Sequence, residues 1–182
     1  MKDDINVELI IEFGGESPEL RNLLNYDKLA KRVDQRDEII SLVQKLDWTL
    51  PEDVQEKAIN TLIDTVHEDD YDLLIIAGHK FTWPNTIRVL NMAGYPKNKK
   101  ALPSLFLLFQ DLNWPGALEG MHVLIESDKG TLIPLLEIAI KSAFFSKDYI
   151  WLAGIKQFVE FAKISKSDFV NSNVYDLLEH AE

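Results

Sequence analysis

The side chains best suited to chemistry fall into three groups. "HEDDYD", residues 67–72, packs Glu68, Asp69, Asp70 and Asp72 into one short stretch. Clustered carboxylates can hold a hard cation or attract a basic surface. The stretch lacks the central glycine and distal glutamate of an EF-hand loop, and acids at a helix start meet the positive end of its macrodipole favourably. A helix start is therefore the first expectation, and an acidic partner-binding surface the second. "YPKNKK" gathers Lys97, Lys99 and Lys100, with Arg88 and Lys80 nearby in sequence. Without interleaved aromatics or glycines these make a weak phosphate-binding signal and read as a solubilising turn. Glu119, His122 and Glu126 share one helical face at i, i+3 and i+7, a spacing that suits metal ligands. A solvated polar stripe on an amphipathic helix is the simpler reading, so no metal and no cofactor are expected.

Catalytic signatures are missing. The sequence contains no G-x-S-x-G, Walker-type loop, H-E-x-x-H or G-x-G-x-x-G, each of which needs its own structural context. Its four histidines, at 67, 79, 122 and 180, are far apart. A noncatalytic protein follows as the expectation.

Composition narrows the class further. The 182 residues suffice for a self-sufficient core. With no cysteine, disulfides and thiolate metal sites are excluded. The start "MKDDINVELIIEF" carries acids where a signal peptide needs positive charge, and runs such as "TLIPLLEIAI" are far shorter than the roughly 20 residues that span a bilayer. A cytoplasmic protein with no membrane partner is expected. The net charge of −11 disfavours nucleic acid and anionic membranes as partners. The charge is uneven: residues 51–80 hold eight acidic and two basic side chains, residues 81–110 four basic ones and no acid.

The elements that position these groups are read from the tryptophans. Trp48, Trp83, Trp114 and Trp151 are spaced by 35, 31 and 37 residues, intervals that suit a helical-hairpin repeat. "FTWPNTIRVLNMAG" and "LNWPGALEGMHVLI" lie 31 residues apart, as do Pro103 and Pro134. Apolar residues recur two, eight and nine positions before each of the first three tryptophans: Leu46, Phe81 and Leu112; Ile40, Ile75 and Phe106; Ile39, Leu74 and Leu105. That spacing predicts a buried helix ahead of each corner. Trp151 keeps it only loosely and reads as a degenerate terminal copy.

Proline tolerates the first turn of a helix, where its missing N–H has no partner. Pro51, Pro84 and Pro115 are therefore expected to start helices. The pre-proline bias holds Trp83 and Trp114 extended, and Thr82 and Asn113 cap. The indoles then fill the wedges between helix pairs, and Trp114→Ala is expected to cost roughly 3–5 kcal/mol. The pattern predicts helices over about 27–33, 36–46, 51–66, 70–78, 84–94, 101–111, 115–127, 131–145, 149–163 and 167–180, with Gly94, "GYPKNKK", "SDKG" and Gly130 as turns. Ser17 and Pro18 start a further helix. Residues 4–13 read as helix, although Val7, Leu9, Ile11 and Phe13 also alternate as in a strand.

Stacked helix pairs make an α-solenoid, an all-α superhelix of roughly four helical hairpins plus N-terminal helices, with residues 1–26 as an N-terminal helical extension and 27–182 as the repeat domain. Over roughly residues 27–165 the chain resembles short HEAT-like (armadillo-like) repeat proteins. "LFLLFQDLNWPGA" is similar to an uncharacterised bacterial family of small HEAT-like domains marked by an apolar helix and a Gln-Asp-x-Asn-Trp-Pro turn. The motif is complete at 110–115, partial in "HKFTWP" and degraded in "QKLDWTLP". The resemblance implies a fold and carries over no catalytic residues.

Three functions follow as expectations. The first is a noncatalytic protein-binding module. Its sharper form is an immunity-type protein that neutralises a basic toxin, since acidic proteins are steered electrostatically to basic partners. The alternative is a nucleic-acid binder or DNA glycosylase of the HEAT-like kind, with Arg88, Lys97, Lys99 and Lys100 on phosphates and Trp83 or Tyr95 as the aromatic. The third is a structural subunit pairing with a copy of itself. The charged end of "SKSDFVNSNVYDLLEHAE" suits a solenoid cap and favours a monomer.

Overall fold

The computed structural model describes residues 37–181. The expectations placed on the first 36 residues, namely the extension over 1–26 with its helix or strand at 4–13 and its helix start at Ser17, and the helix over 27–33, lie outside the described residues. Among the described residues every regular element is helical and there is no strand. The α-helices are α1 (Asp37–Gln44), α2 (Glu52–Thr65), α3 (Leu73–Ile76), α4 (Trp83–Ala93), α5 (Leu102–Leu105), α6 (Ala117–Ile125), α7 (Lys129–Phe145), α8 (Tyr149–Phe161) and α9 (Ser172–Asp176). Short 3-10 turns at Glu68–Asp70, Lys99–Ala101, Phe106–Gln110, Lys166–Asp168 and Leu177–His180 connect or extend them.

The first six helices pack as consecutive pairs, α1 on α2, α3 on α4 and α5 on α6, with α2 against α4 and α4 against α6 between pairs. Side-chain hydrogen bonds cross from one pair to the next. Gln44 Nε2 donates to Ala77 O at 2.9 Å, Asn85 Nδ2 to Leu46 O at 2.8 Å, and Lys97 Nζ to Ile63 O at 3.1 Å. Each satisfies a backbone carbonyl that would otherwise be left without a donor at a helix end or turn. α7 is buried around most of its circumference, with Leu132, Ile133, Leu135, Leu136, Ala139 and Ile140 in the core and Glu137 buried where it accepts from Asn171 N, as expected of a central helix. It packs on α5, α8, α9 and the C-terminal 3-10 turn. α8 lies against the 3-10 turn Phe106–Gln110, where Phe106, Phe109 and Phe158 meet with ring centroids 5.5–5.7 Å apart.

α7 and α8 end alike. Lys147 and Lys163 take left-handed backbone conformations, φ 58° and 53°. The following amides, of Asp148 and Ile164, donate back to Ala143 O and Val159 O. These are Schellman ends with lysine where glycine is usual.

Several corner details differ from the sequence expectation. Pro51 is the N-cap of α2 and Pro84 the second residue of α4, but Pro115 precedes α6 by two residues, because Gly116 intervenes at φ +90°. Trp83 is the first residue of α4 rather than an extended residue before it. The Thr82 hydroxyl accepts from His79 N and donates to His79 O, both at 2.9 Å, and Trp83 N reaches His79 O at 3.1 Å. These bonds hold a helical turn that outweighs the pre-proline bias. Asn113 caps no helix: its backbone N and its Nδ2 both donate to Asp111 Oδ1. The helices expected over 70–78 and 101–111 are reduced to short α and 3-10 stretches, and Gly130 lies within the first turn of α7.

Candidate functional site

Chain geometry turns the two opposed charge clusters of the sequence into neighbours. Asp69 and Lys100 are 31 residues apart, the offset of Trp83 to Trp114 and of Pro103 to Pro134. The 3-10 turn Glu68–Asp70 packs on the 3-10 turn Lys99–Ala101, with Lys100 Nζ 3.9 Å from Asp69 Oδ1. Only half of the acidic cluster faces solvent. Glu68 and Asp69 are exposed, whereas Asp70 and Asp72 are 8% and 1% exposed and so cannot be part of an open acidic surface. The cause is the turn itself, which aims Asp70 inward and leads into α3, whose Leu73, Leu74 and Ile75 anchor the segment in the core.

The basic residues are also engaged. Arg88 pairs with Glu56 at 2.8 Å and donates to Asn85 Oδ1 at 3.0 Å. Lys97 is held by Ile63 O. The Tyr95 hydroxyl donates to Asp128 and lies 3.1 Å from the Thr131 hydroxyl. Arg88, Lys97 and Tyr95, three of the groups assigned to the phosphate-binding reading, thus already hold helices together. Between the two turns and the start of α7 lies a groove of about 420 Å³, lined by the three lysines, by Glu68 and Asp69, and by proline rings.

The tryptophans separate into two kinds. Trp83 donates from Nε1 to Ile75 O at 3.1 Å, folding over the end of α3, and its ring meets Trp114 at 5.3 Å. Trp48 meets Phe81 at 5.4 Å, yet remains 42% exposed. Trp114 and Pro115 are half-buried. Trp151, the copy that looked degenerate, is 5% exposed and donates to Phe106 O at 2.7 Å. It belongs to the core, and Trp48 does not.

A further surface lies on α6. Its core face carries Ala117, Gly120, Met121, Val123 and Leu124, but Leu118 and Ile125 point outward, Leu118 being 58% exposed. With His122 they follow i, i+4, i+7 spacing and form a ridge. The exposed Phe161 at the end of α8 extends it, with its ring edge-on to His122 at 5.1 Å. Glu119, Glu126 and Glu160 are exposed alongside. Glu119 and Glu126 thus border a ridge of which His122 is a member. Among the described residues no three His, Cys, Asp or Glu side chains come together as metal ligands would, and no helix is long and apolar enough to cross a membrane.

The chain matches no family model, no curated protein and no solved structure.

Among the described residues three carboxylates are held below their usual range. Asp168 is lowered to about 2, first by Lys129 at 2.7 Å and then by Ser165 N and its hydroxyl. The hydroxyls of Tyr95 and Thr131 lower Asp128, and the hydroxyl and backbone N of Thr49 lower Asp47. A depressed folded-state pKa contributes stability that is full above the unfolded value near 4 and lost as pH falls through the folded one. Urea midpoints are accordingly expected to fall between about pH 4 and about pH 2. Asp168→Asn should lower the midpoint at pH 7 and flatten that slope. An unchanged slope in the variant would show that the Lys129–Asp168 link contributes nothing.

Proposed function

We infer that the chain is a noncatalytic protein-binding module of short HEAT-like repeat architecture. Its partner carries a basic, amphipathic segment that lies on the α6–α8 ridge. The observation that carries this reading is the ridge itself: Leu118, Ile125 and Phe161 expose apolar surface in a row bordered by Glu119, Glu126 and Glu160. Contiguous exposed apolar surface rimmed by polar residues is a mark of interaction sites. An acidic rim selects against acidic partners and speeds the approach of basic ones. The repeat architecture draws support from the consecutive packing of the first three helix pairs and from the 31-residue coincidence of charges, prolines and tryptophans. An immunity-type role, with a basic toxin as the partner, is the most specific form of the reading and draws on the chain's net charge of −11. The nucleic-acid alternative is weakened by the pairing of Arg88 and Lys97 within the fold.

The test is partner capture from the native host at low salt with wild type and Leu118→Asp in parallel. A basic partner should be retained by wild type and lost by the variant, with affinity reduced about 30-fold or more if Leu118 is a hot spot of about 2 kcal/mol. Circular dichroism of the variant should match wild type, because Leu118 lies off the core. Capture of the same partners by both proteins, or of acidic partners only, would refute the reading.

A further inference from the structure

We propose that the cluster of Asp47, Trp48, His79 and Phe81 at the first helix corner takes the guanidinium of an arginine carried by a partner protein. The cluster shares no residue with the α6–α8 ridge. Two short stretches build it: "LDWTLP", residues 46–51, joins α1 to α2, and "HKF", residues 79–81, lies between α3 and α4. Trp48 N donates to Phe81 O at 3.1 Å and ties the two together. The side chains then close a circuit. Trp48 and Phe81 lie with ring centroids 5.4 Å apart, Phe81 meets His79 edge-on at 5.8 Å, and His79 Nε2 is 3.9 Å from Oδ2 of Asp47, the neighbour of Trp48 in the chain. Phe81 N donates to His79 Nδ1 at 3.3 Å, which sets the ring so that its other nitrogen faces Asp47.

The loop is fixed from beneath while its apolar side chains stay outside. Gln55 Nε2 donates to Leu50 O at 2.6 Å and to Trp48 O at 3.3 Å. Its Oε1 accepts from the buried Asn85, whose Nδ2 also reaches Leu46 O. Trp48, Leu50 and Phe81 are nevertheless all exposed. At the next corner Trp83 gives its indole N–H to Ile75 O and is half-buried. Core packing therefore explains Trp83 and leaves Trp48 without a role. Exposed apolar surface on a fixed loop suits docking, because a partner loses little of its binding energy to ordering the site.

Charge complementarity names the occupant. Tryptophan is the best cation–π acceptor among the side chains. Lys80 Nζ lies 5.2 Å over the Phe81 ring, so the cluster already attracts an ammonium of its own chain, and the exposed indole beside it is a stronger acceptor. Asp47 supplies the opposite charge. Its Oδ1 accepts from the Thr49 hydroxyl at 2.7 Å and from Thr49 N at 2.8 Å, which hold the carboxyl below the usual range. Among the described residues its Oδ2 meets only His79 and keeps lone pairs for a donor. Lys45 and Lys57 line a different groove together with Asp53. A guanidinium answers both features at once: its plane stacks on the indole while its N–H groups donate within that plane to a carboxylate. The methylene stem of the arginine then has Leu50 to lie on. A quaternary ammonium would use the rings and leave Oδ2 without a donor, and a polyanion would meet Asp47 and the field of a chain whose net charge is −11.

The probe is N-acetyl-arginine methylamide, titrated into the full chain and followed by amide and indole N–H chemical shifts, with the neutral citrulline counterpart as the comparison of equal shape. Shifts should concentrate at the Trp48 indole and at residues 47–50 and 79–81, and arginine should bind at least about fivefold tighter than citrulline. Trp48→Ala removes an exposed ring, so circular dichroism should be unchanged while the arginine-dependent shifts at 79–81 disappear. Asp47→Asn keeps an acceptor for the Thr49 bonds and should weaken arginine without weakening citrulline. Lys80→Ala removes a competing positive charge and should raise the arginine affinity. Equal binding of citrulline, shifts that map elsewhere, or an arginine affinity unmoved by Trp48→Ala would overturn the assignment. Leu118→Asp should leave the arginine shifts in place, so failure of this site and failure of the ridge reading are separately visible.

Discussion

Gly154→Ala is expected to destabilise the fold by about 3 kcal/mol or more, and the same substitution at Gly120 to leave it unchanged or stabilise it. Both glycines lie inside helices and both are buried, so helix propensity alone favours alanine at each by up to about 1 kcal/mol. Packing decides the sign. A Cβ on Gly154 would fall inside the van der Waals envelope of the Phe109 carbonyl oxygen, 3.0 Å from its carbonyl carbon and 3.2 Å from its Cβ. The obstacle is backbone, held in the 3-10 turn Phe106–Gln110, and it cannot rotate aside as a side chain does. α8 has to move off that turn, loosening the contact of Phe158 with Phe106 and Phe109, and overpacking of this kind belongs to the short list of causes of large losses. At Gly120 the nearest atoms are side-chain carbons of Leu105, Leu108 and Ile87 at 3.6–3.8 Å, an ordinary contact. Thermal unfolding separates the two: a loss of about 3 kcal/mol lowers Tm by roughly 6–12 °C in a chain of this size. Equal Tm values for the two variants would mean that the α8 contact is not as close as described.

Much of the secondary structure was legible before any coordinates, and the reason is periodicity. Runs such as "TLIPLLEIAIKSAFF" bury residues on every side, and a long apolar run bounded by polar turns needs only a helix to satisfy its backbone. Element ends were less legible because their signals are local and compete. Asp128 caps α7 by accepting from Thr131 N, so "SDKG" starts a helix although its glycine suggests a turn. Lys147 and Lys163 end helices in the conformation that glycine advertises and lysine does not. At Trp83 the hydrogen bonds around His79 and Thr82 override the proline rule that predicted an extended residue.

The candidate surfaces were legible only in part. The convergence of Asp69 with Lys100 was not readable from composition, since it depends on the 3-10 turn Glu68–Asp70 packing on the turn Lys99–Ala101, 31 residues on. Burial of Asp70 and Asp72 was not readable, because it depends on which way a three-residue turn points. The α6 ridge left a trace. Ala117, Leu118, Met121, Val123, Leu124 and Ile125 are more apolar positions than one helical face holds, and the excess had to be buried elsewhere or left outside.

Trp151→Ala is expected to be the most damaging of the four tryptophan truncations, at about 3–5 kcal/mol for the lost side chain and its hydrogen bond to Phe106 O. Its indole is 5% exposed and bonds an oxygen 45 residues away, so it ties α8 to the 3-10 turn beneath it. Trp114 and Trp83 are half-buried and lean on each other. Removing Trp114 takes away one aromatic contact of about 0.5–1.5 kcal/mol and part of a burial, less than the 3–5 kcal/mol its motif position implies. Trp48 is 42% exposed, and its truncation should cost least. The sequence ranks these residues by motif completeness, with Trp114 first and Trp151 last, while the packing ranks Trp151 first. Urea unfolding of the four variants decides between the rankings. Trp151→Phe adds the finer test: it keeps most of the ring volume and loses the Nε1 donor, so a penalty near that of alanine would assign the stabilisation to the hydrogen bond, and a small one would assign it to packing.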